Sequence, residues 1–340
     1  MKVVKLPKSN LEGLVEELRK VGPVYAPVRK GETSYSFQEI SSADEAELNY
    51  NRTILPPKKF FLPPQEPMFH FSPLKGFTPA VEDLDQPFVL FGVHSCDIHG
   101  LKILDMVFNG RYTDNAYMTR RRNGVIVGID CTPDEYCFCY SMGTNFVDDG
   151  FDLFLSDIGD SYLVRVGTSL GDDITLAREE LFDEVTDEDK QAFKSSMLRK
   201  AEMFKSKVDM LGLPEIMDLE YESEVWDEVA GQCLSCGTCS MVCPTCYCYD
   251  VVDELSLDAQ SGVRKRRWDS CLFWEYSLVA GGHNFAAERS TRMKKRYYHK
   301  LRVFSEEFGR PACVGCGRCS QMCVAGLKFP DVIEKLRSTA

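Results

Sequence analysis

Two runs near the C-terminus, CLSCGTCSMVCP from Cys233 to Pro244 and CVGCGRCSQMCV from Cys313 to Val324, repeat the spacing Cys-x2-Cys-x2-Cys-x3-Cys. Three thiolates packed this tightly suit three corners of an iron–sulfur cube, and the fourth cysteine of such a run reaches across to a second cube. The spacing therefore predicts one [4Fe–4S] cluster on Cys233, Cys236, Cys239 and Cys323, and another on Cys313, Cys316, Cys319 and Cys243. Gly237, Gly315 and Gly317 permit the backbone angles of a loop wrapped round such a group, which a Cβ resists. Pro244 follows the fourth cysteine of the first run as in bacterial ferredoxins; Val324 breaks that pattern in the second. The competing chemistry is structural zinc, which needs four ligands, usually as two separated pairs, and leaves the third cysteine of each run without a role.

Seven of the fifteen cysteines lie outside these runs. Cys96, Cys131, Cys137 and Cys139 follow two apolar runs that read as strands, so they could converge on a third metal site, [4Fe–4S] ahead of zinc. Otherwise they are buried thiols, the usual fate of free cysteine. Cys246, Cys248 and Cys271 do not complete a cube and read as structural. His94 and His99 flank Cys96 and Asp97; with thiols enough nearby, hydrogen bonding suits them better than ligation. His283 reads as an interface or turn residue, and Trp268, Phe273 and Trp274 as core at near-helical spacing. No GxGxxG follows a strand and no GxxxxGK[ST] occurs, so nothing supports a nucleotide site, and no nucleophile stands beside a base.

Elements must position these groups. Ser9 to Lys20 reads as an amphipathic helix capped by Ser9 with Glu12, stopped by Gly22-Pro23 and followed by a strand at Val24 to Val28. The seven prolines between residues 52 and 79 imply an extended segment over a surface. Strands at Phe88 to Val93 and Val125 to Ile129, with a helix at Ile98 to Phe108 between them, indicate α/β architecture; Phe151 to Leu155 and Tyr162 to Val166 suggest a hairpin. Helices are expected over 187–211 and 216–230. The expected whole is α+β or α/β. An N-terminal mixed α/β domain (1–215) precedes a mostly helical, bacterial-ferredoxin-like dicluster domain (216–340). A long helical insertion at 250–310, including Trp268 to Ala280, separates its two cysteine runs.

The 340 residues suffice for two cores, and the cysteine count in a chain with no visible secretory leader points to metal in the cytoplasm rather than disulfides. No apolar run approaches the roughly 18 residues of a membrane span. The net charge of −12 disfavours nucleic acid. Charge is uneven: 148–228 holds 23 acidic and 8 basic residues, and 261–310 holds 12 basic and 5 acidic. The basic segment is either a docking surface beside the clusters or a solvated, internally paired face.

Longer strings carry a resemblance. NRTILPPKKFF at Asn51, FGVHSCDIHGLKILD at Phe91, DEYCFC at Asp134, DDGFDLF at Asp148, LVRVGT at Leu163, RRWDSC at Arg266 and LVAGGHNF at Leu278 resemble the beta subunits of cytoplasmic NAD(P)H-linked nickel–iron sulfhydrogenases. More distantly, CPTCYC and the glycine turn resemble the electron-input subunit of anaerobic sulfite reductases. The first resemblance implies an electron-transfer subunit. Its partners would be a flavin- and NAD(P)-binding subunit and the cluster-bearing small and nickel–iron large subunits of a hydrogenase. It also implies family cysteines at the positions of Cys96, Cys131, Cys137 and Cys139. The second implies the same role in a sulfite- or sulfur-reducing complex. A zinc-stabilised assembly scaffold is the alternative of another class.

Overall fold

The computed structural model describes residues 2–80 and 86–339. Among these, strands form two sheets. The larger has seven, in the order β1-β9-β8-β7-β6-β2-β3: β1 Val3–Pro7, β2 Val24–Arg29, β3 Tyr35–Ile40, β6 Phe88–His94, β7 Gly124–Ile129, β8 Leu153–Asp157 and β9 Ser161–Val166. β2, β6, β7 and β8 run parallel, with antiparallel strands at both edges. β7 is buried along its whole length and β6 nearly so, hence their unbroken apolar character. Helix Leu11–Val21 buries Leu14, Val15 and Leu18 on one face of the sheet, and helix Ser95–Phe108 buries Ile98, Leu101 and Leu104 on the other. The mixed α/β class is as expected.

The second sheet departs from expectation. Its order is β10-β11-β4-β5, with β4 Gln65–Ser72, β5 Gly76–Pro79, β10 Tyr249–Leu255 and β11 Gly262–Trp268. The prolines of 52–79 are thus partly within strands; Pro67 sits opposite Lys265 beside a register shift, where the missing N–H does least harm. The expected long helical insertion is corrected: its first part is a β-hairpin. Asp250 stands opposite Arg267 and Asp253 opposite Arg264, each pair hydrogen-bonded across the strands. Opposite charges aligned in register stabilise a strand pair that composition alone reads as helix. Trp268 ends β11, and Trp274 is half exposed rather than core. Helix does follow, from Arg289 to Phe308, with a π turn at His299–Val303.

Smaller corrections follow from local chemistry. The first helix has Asn10, not Ser9, at its N-cap, and Glu12 accepts from the Ala43 N–H instead of closing a box. Asp187–Met203 is shorter than the expected 187–211; Leu213–Leu219 and Val225–Gln232 stand in place of one helix at 216–230. Leu213 and Met217 pack into the C-terminal core with Trp226, Leu301 and Leu336. The second sheet takes strands from both sides of residue 215. No helix among the described residues is long and apolar enough to cross a membrane.

Candidate iron–sulfur centres

Each cysteine run opens as a loop and then turns into a short helix, Thr238–Met241 or Arg318–Gln321, entered through Gly237 at φ 71° or Gly317 at φ 75°. The two short helices pack together. One cavity is lined by Cys233, Cys236, Cys239 and Cys323; a second is lined by Cys243, Cys313, Cys316 and Cys319. Cys323 therefore lies with three thiols of the other run, and Cys243 likewise. Cys319, Arg296 and Phe329 line both cavities, so the two share a wall. Among the described residues, no three His, Cys, Asp or Glu close tightly enough to hold a single ion; the thiols ring cavities instead.

The N-terminal thiols come from the C-terminal end of the large sheet. His94 of β6 pairs with Ile129 of β7, so Cys96 and Cys131 each stand two residues past that rung. Cys137 and Cys139 follow Cys131 on the same β7–β8 loop, and Cys96, Cys137 and Cys139 share one buried cluster with Cys316 and Val314. That loop is pressed against the second run: Phe138 N–H donates to Gly315 O at 2.9 Å, and Thr144 Oγ1 to Val314 O at 2.6 Å. A Cβ on Gly315 (φ 65°) would stand 2.6 Å from the Cys139 backbone, and one on Gly317 2.5 Å from Tyr136 O. Close backbone approach, beyond turn geometry, requires both glycines.

Sequence reasoning missed the buried cations among these thiols. Arg296 donates to Cys239 O at 3.1 Å and lies 3.6 Å from Cys246 Sγ. Lys300, placed by the π turn, donates to Thr245 Oγ1 at 2.8 Å, and Lys58 to Cys246 O at 2.7 Å. Arg318 grips Asp97 with both side chains essentially inaccessible, and Arg52 bonds Asp134 and reaches Cys137 Sγ at 2.9 Å. Lys200 bonds Asp130 and faces Cys131 and Cys139. Burial pushes Lys58 down to about 8. Burial also opposes the charge on Lys300, yet the thiols of Cys243 and Cys246 hold it protonated, above the usual lysine range.

The basic segment is thereby accounted for. Arg266 is buried between Glu66 and Asp114, Arg292 donates to three carbonyls, and Arg264, Lys265 and Arg267 pair with acids of β10. A run of basic residues carries a signal for such burial only when apolar residues recur within it, as Met293, Tyr297 and Leu301 do here.

Of the remaining groups, the thiol of Cys246 faces that of Cys243 and the thiol of Cys248 faces that of Cys271, all four being free. His94 is buried and stacks on Tyr50 at 4.0 Å; His99 Nε2 lies 2.8 Å from Phe146 O. His283 sits in an exposed glycine turn against Phe285.

A family model described as a 4Fe-4S dicluster domain matches residues 232–327, the span that holds all eight thiols of the two runs. Across 337 residues, 99% of each chain, the protein is 47% identical to sulfhydrogenase 2 subunit beta of Pyrococcus furiosus. The chain belongs to the sulfhydrogenase beta-subunit family. In this family member the match runs through the whole large sheet, so the N-terminal thiols lie inside the shared region.

Proposed function

We propose that the chain is the iron–sulfur electron-transfer subunit of a cytoplasmic nickel–iron hydrogenase of the sulfhydrogenase type. It relays electrons between a flavin- and NAD(P)H-binding subunit and the cluster-bearing small subunit. One observation carries the reading: two thiol-lined cavities share a wall that includes Cys319, and all eight thiols of the two runs fall in a segment that matches a 4Fe-4S dicluster domain. Cys233, Cys236, Cys239 and Cys323 would hold one [4Fe–4S] cluster, and Cys243, Cys313, Cys316 and Cys319 the other. Cys96, Cys131, Cys137 and Cys139 would hold a third. Such clusters, when bound, supply reversible one-electron capacity at a potential set by burial, charge and hydrogen bonds.

The protein's own residues provide the rest. Tyr297, Leu272, Phe329 and Phe138 give the cavities apolar walls, and of the eight thiols only Cys236 is exposed. Arg296, Lys300 and Lys58 offset the anionic charge that thiolates and sulfides bring into a buried space, which otherwise disfavours reduction. The glycines let the backbone of 136–139 lie against 314–317 without a side chain between them.

Anaerobic iron and sulfide analysis tests the reading. About twelve irons per chain are expected with the third site filled and about eight without it; zinc alone would refute it. Cys323→Ser should damage the site of Cys233, Cys236 and Cys239, and a spectral change confined to the other site would overturn the crossed grouping. Copurification of the native complex with a nickel–iron subunit, rather than a sirohaem one, tests the assembly.

A further inference from the structure

Cys246, Cys248 and Cys271 belong to none of the ligand groups above, and the fold sorts them. Cys246 is buried with its thiol towards Cys243, whereas Cys248 and Cys271 are half-buried and face each other. The hairpin of β10 and β11 sets this second pair. Its last rung joins Tyr249 to Trp268, and one residue further the Asp269 N–H donates to Cys248 O at 2.9 Å. The chain then turns at Ser270, whose Oγ donates to Ser240 Oγ at 3.0 Å and accepts from the Leu272 N–H at 3.2 Å. Arg292 Nε donates to Leu272 O at 3.0 Å, so Cys271 is held between two anchored neighbours. Both thiols thus stand on fixed backbone at the base of the hairpin. Against the opposing effect of burial, the facing Cys271 and Tyr276, with Lys300 behind them, favour the Cys248 thiolate and bring it below the usual thiol range. Partly exposed thiols in such surroundings are the reactive ones.

We propose that Cys248 and Cys271 form a dithiol–disulfide site that reduces a small hydroperoxide, with Cys248 as the attacking thiol and Cys271 as the resolving one. The Cys248 thiolate attacks the peroxide: an S–O bond forms, the O–O bond breaks, and hydroxide leaves, or alkoxide from an alkyl hydroperoxide. The Cys271 sulfur then displaces hydroxide from the Cys248 sulfenic acid, so an S–S bond replaces the S–O bond. In balance, the two thiols give up two electrons and two protons, and the peroxide becomes water or an alcohol plus one further water. Exchange with a dithiol reductant restores the pair. The position suits this task. Cys248 and Cys271 are more accessible than Cys243 and Cys246, so a peroxide reaching this part of the fold oxidises thiols outside the ligand groups first. The inference goes beyond the electron-transfer reading and stands whether the chain carries two clusters or three.

The test is a peptide map of the intact protein, reduced with dithiothreitol, desalted anaerobically and treated with equimolar hydrogen peroxide. Samples are quenched in acid with a maleimide present and digested without reductant. Before peroxide, both thiols should carry the maleimide. Afterwards, labelling should be lost at Cys248 and Cys271 together and replaced by a peptide joining the two, which dithiothreitol opens, while the visible cluster absorbance persists. Cys271→Ser should stop the reaction at a Cys248 sulfenic acid that dimedone traps, and Cys248→Ser should leave Cys271 labelled. Full labelling of both positions after peroxide, a link from either one to Cys243 or Cys246 instead, or bleaching of the clusters before the link forms would each overturn the proposal. Should a serine variant fail to fold, the map of the parent protein decides alone.

Discussion

The pair Arg318–Asp97 offers the sharpest quantitative test of how the cysteine runs are fixed to the large sheet. Both side chains are inaccessible (1% and 0%), joined by bonds of 2.6 and 2.8 Å, and Arg318 Nε donates to Thr53 O at 2.9 Å. Removing one partner leaves a buried charge uncompensated, at a cost of about 3–5 kcal/mol. Asp97→Leu and Arg318→Met should each destabilise by that amount. The double variant removes both charges and should lie within about 2 kcal/mol of the parent, its residual cost being the orphaned Thr53 carbonyl. The coupling is then several kcal/mol, far above the roughly 0.5 kcal/mol scatter of independent sites. Anaerobic guanidinium titration followed by circular dichroism and by cluster absorbance measures it, with iron content checked in each variant. Single costs that simply add would show that the pair does not act as a unit and would refute the argument.

Three further outcomes are expected. Gly315→Ala should cost about 2–4 kcal/mol, combining overpacking with a strained positive φ, whereas Gly212→Ala, at φ 61° with open space around it, should cost about 1 kcal/mol; thermal unfolding compares them. Arg296→Met removes a buried positive charge from the wall common to both cavities and should lower the midpoint potentials of both C-terminal sites in a redox titration, with the N-terminal one moving less. Burial first, then Lys300 and Arg296, depress His299 to about 4; the unfolded chain therefore binds the proton more readily, and stability should fall as pH drops from about 6.5 to about 4, by up to about 3 kcal/mol. His94 and His99 shift in the same direction. His299→Phe should flatten that acid limb in denaturation curves taken from pH 7 to pH 4.

Much of this was legible because the signals were local. The β6 and β7 runs are apolar throughout since both sheet faces are covered, and Gly22-Pro23 stops the first helix where expected. The second sheet was not legible. β10 and β11 are built from Asp, Glu, Arg and Lys, and their pairing is set by cross-strand charges that no single-strand pattern displays. Their neighbour β4 lies nearly two hundred residues away in sequence. The buried cations escaped notice for a related reason: Arg296 and Lys300 look like part of a solvated helix until the thiols they face are brought round by the fold.

That borrowed β4–β11 contact has a consequence for biosynthesis. The β4–β5 hairpin leaves the ribosome long before β11 exists, since its last residue is Pro79 and β10 begins only at Tyr249. At 5–20 residues per second, translation of the intervening chain takes roughly 10–35 s. For that interval an isolated hairpin, at best marginally stable, offers the unpaired β4 edge that β11 later takes. Nascent chains stalled shortly before residue 249 should therefore be the stage most prone to self-association and to capture by chaperones.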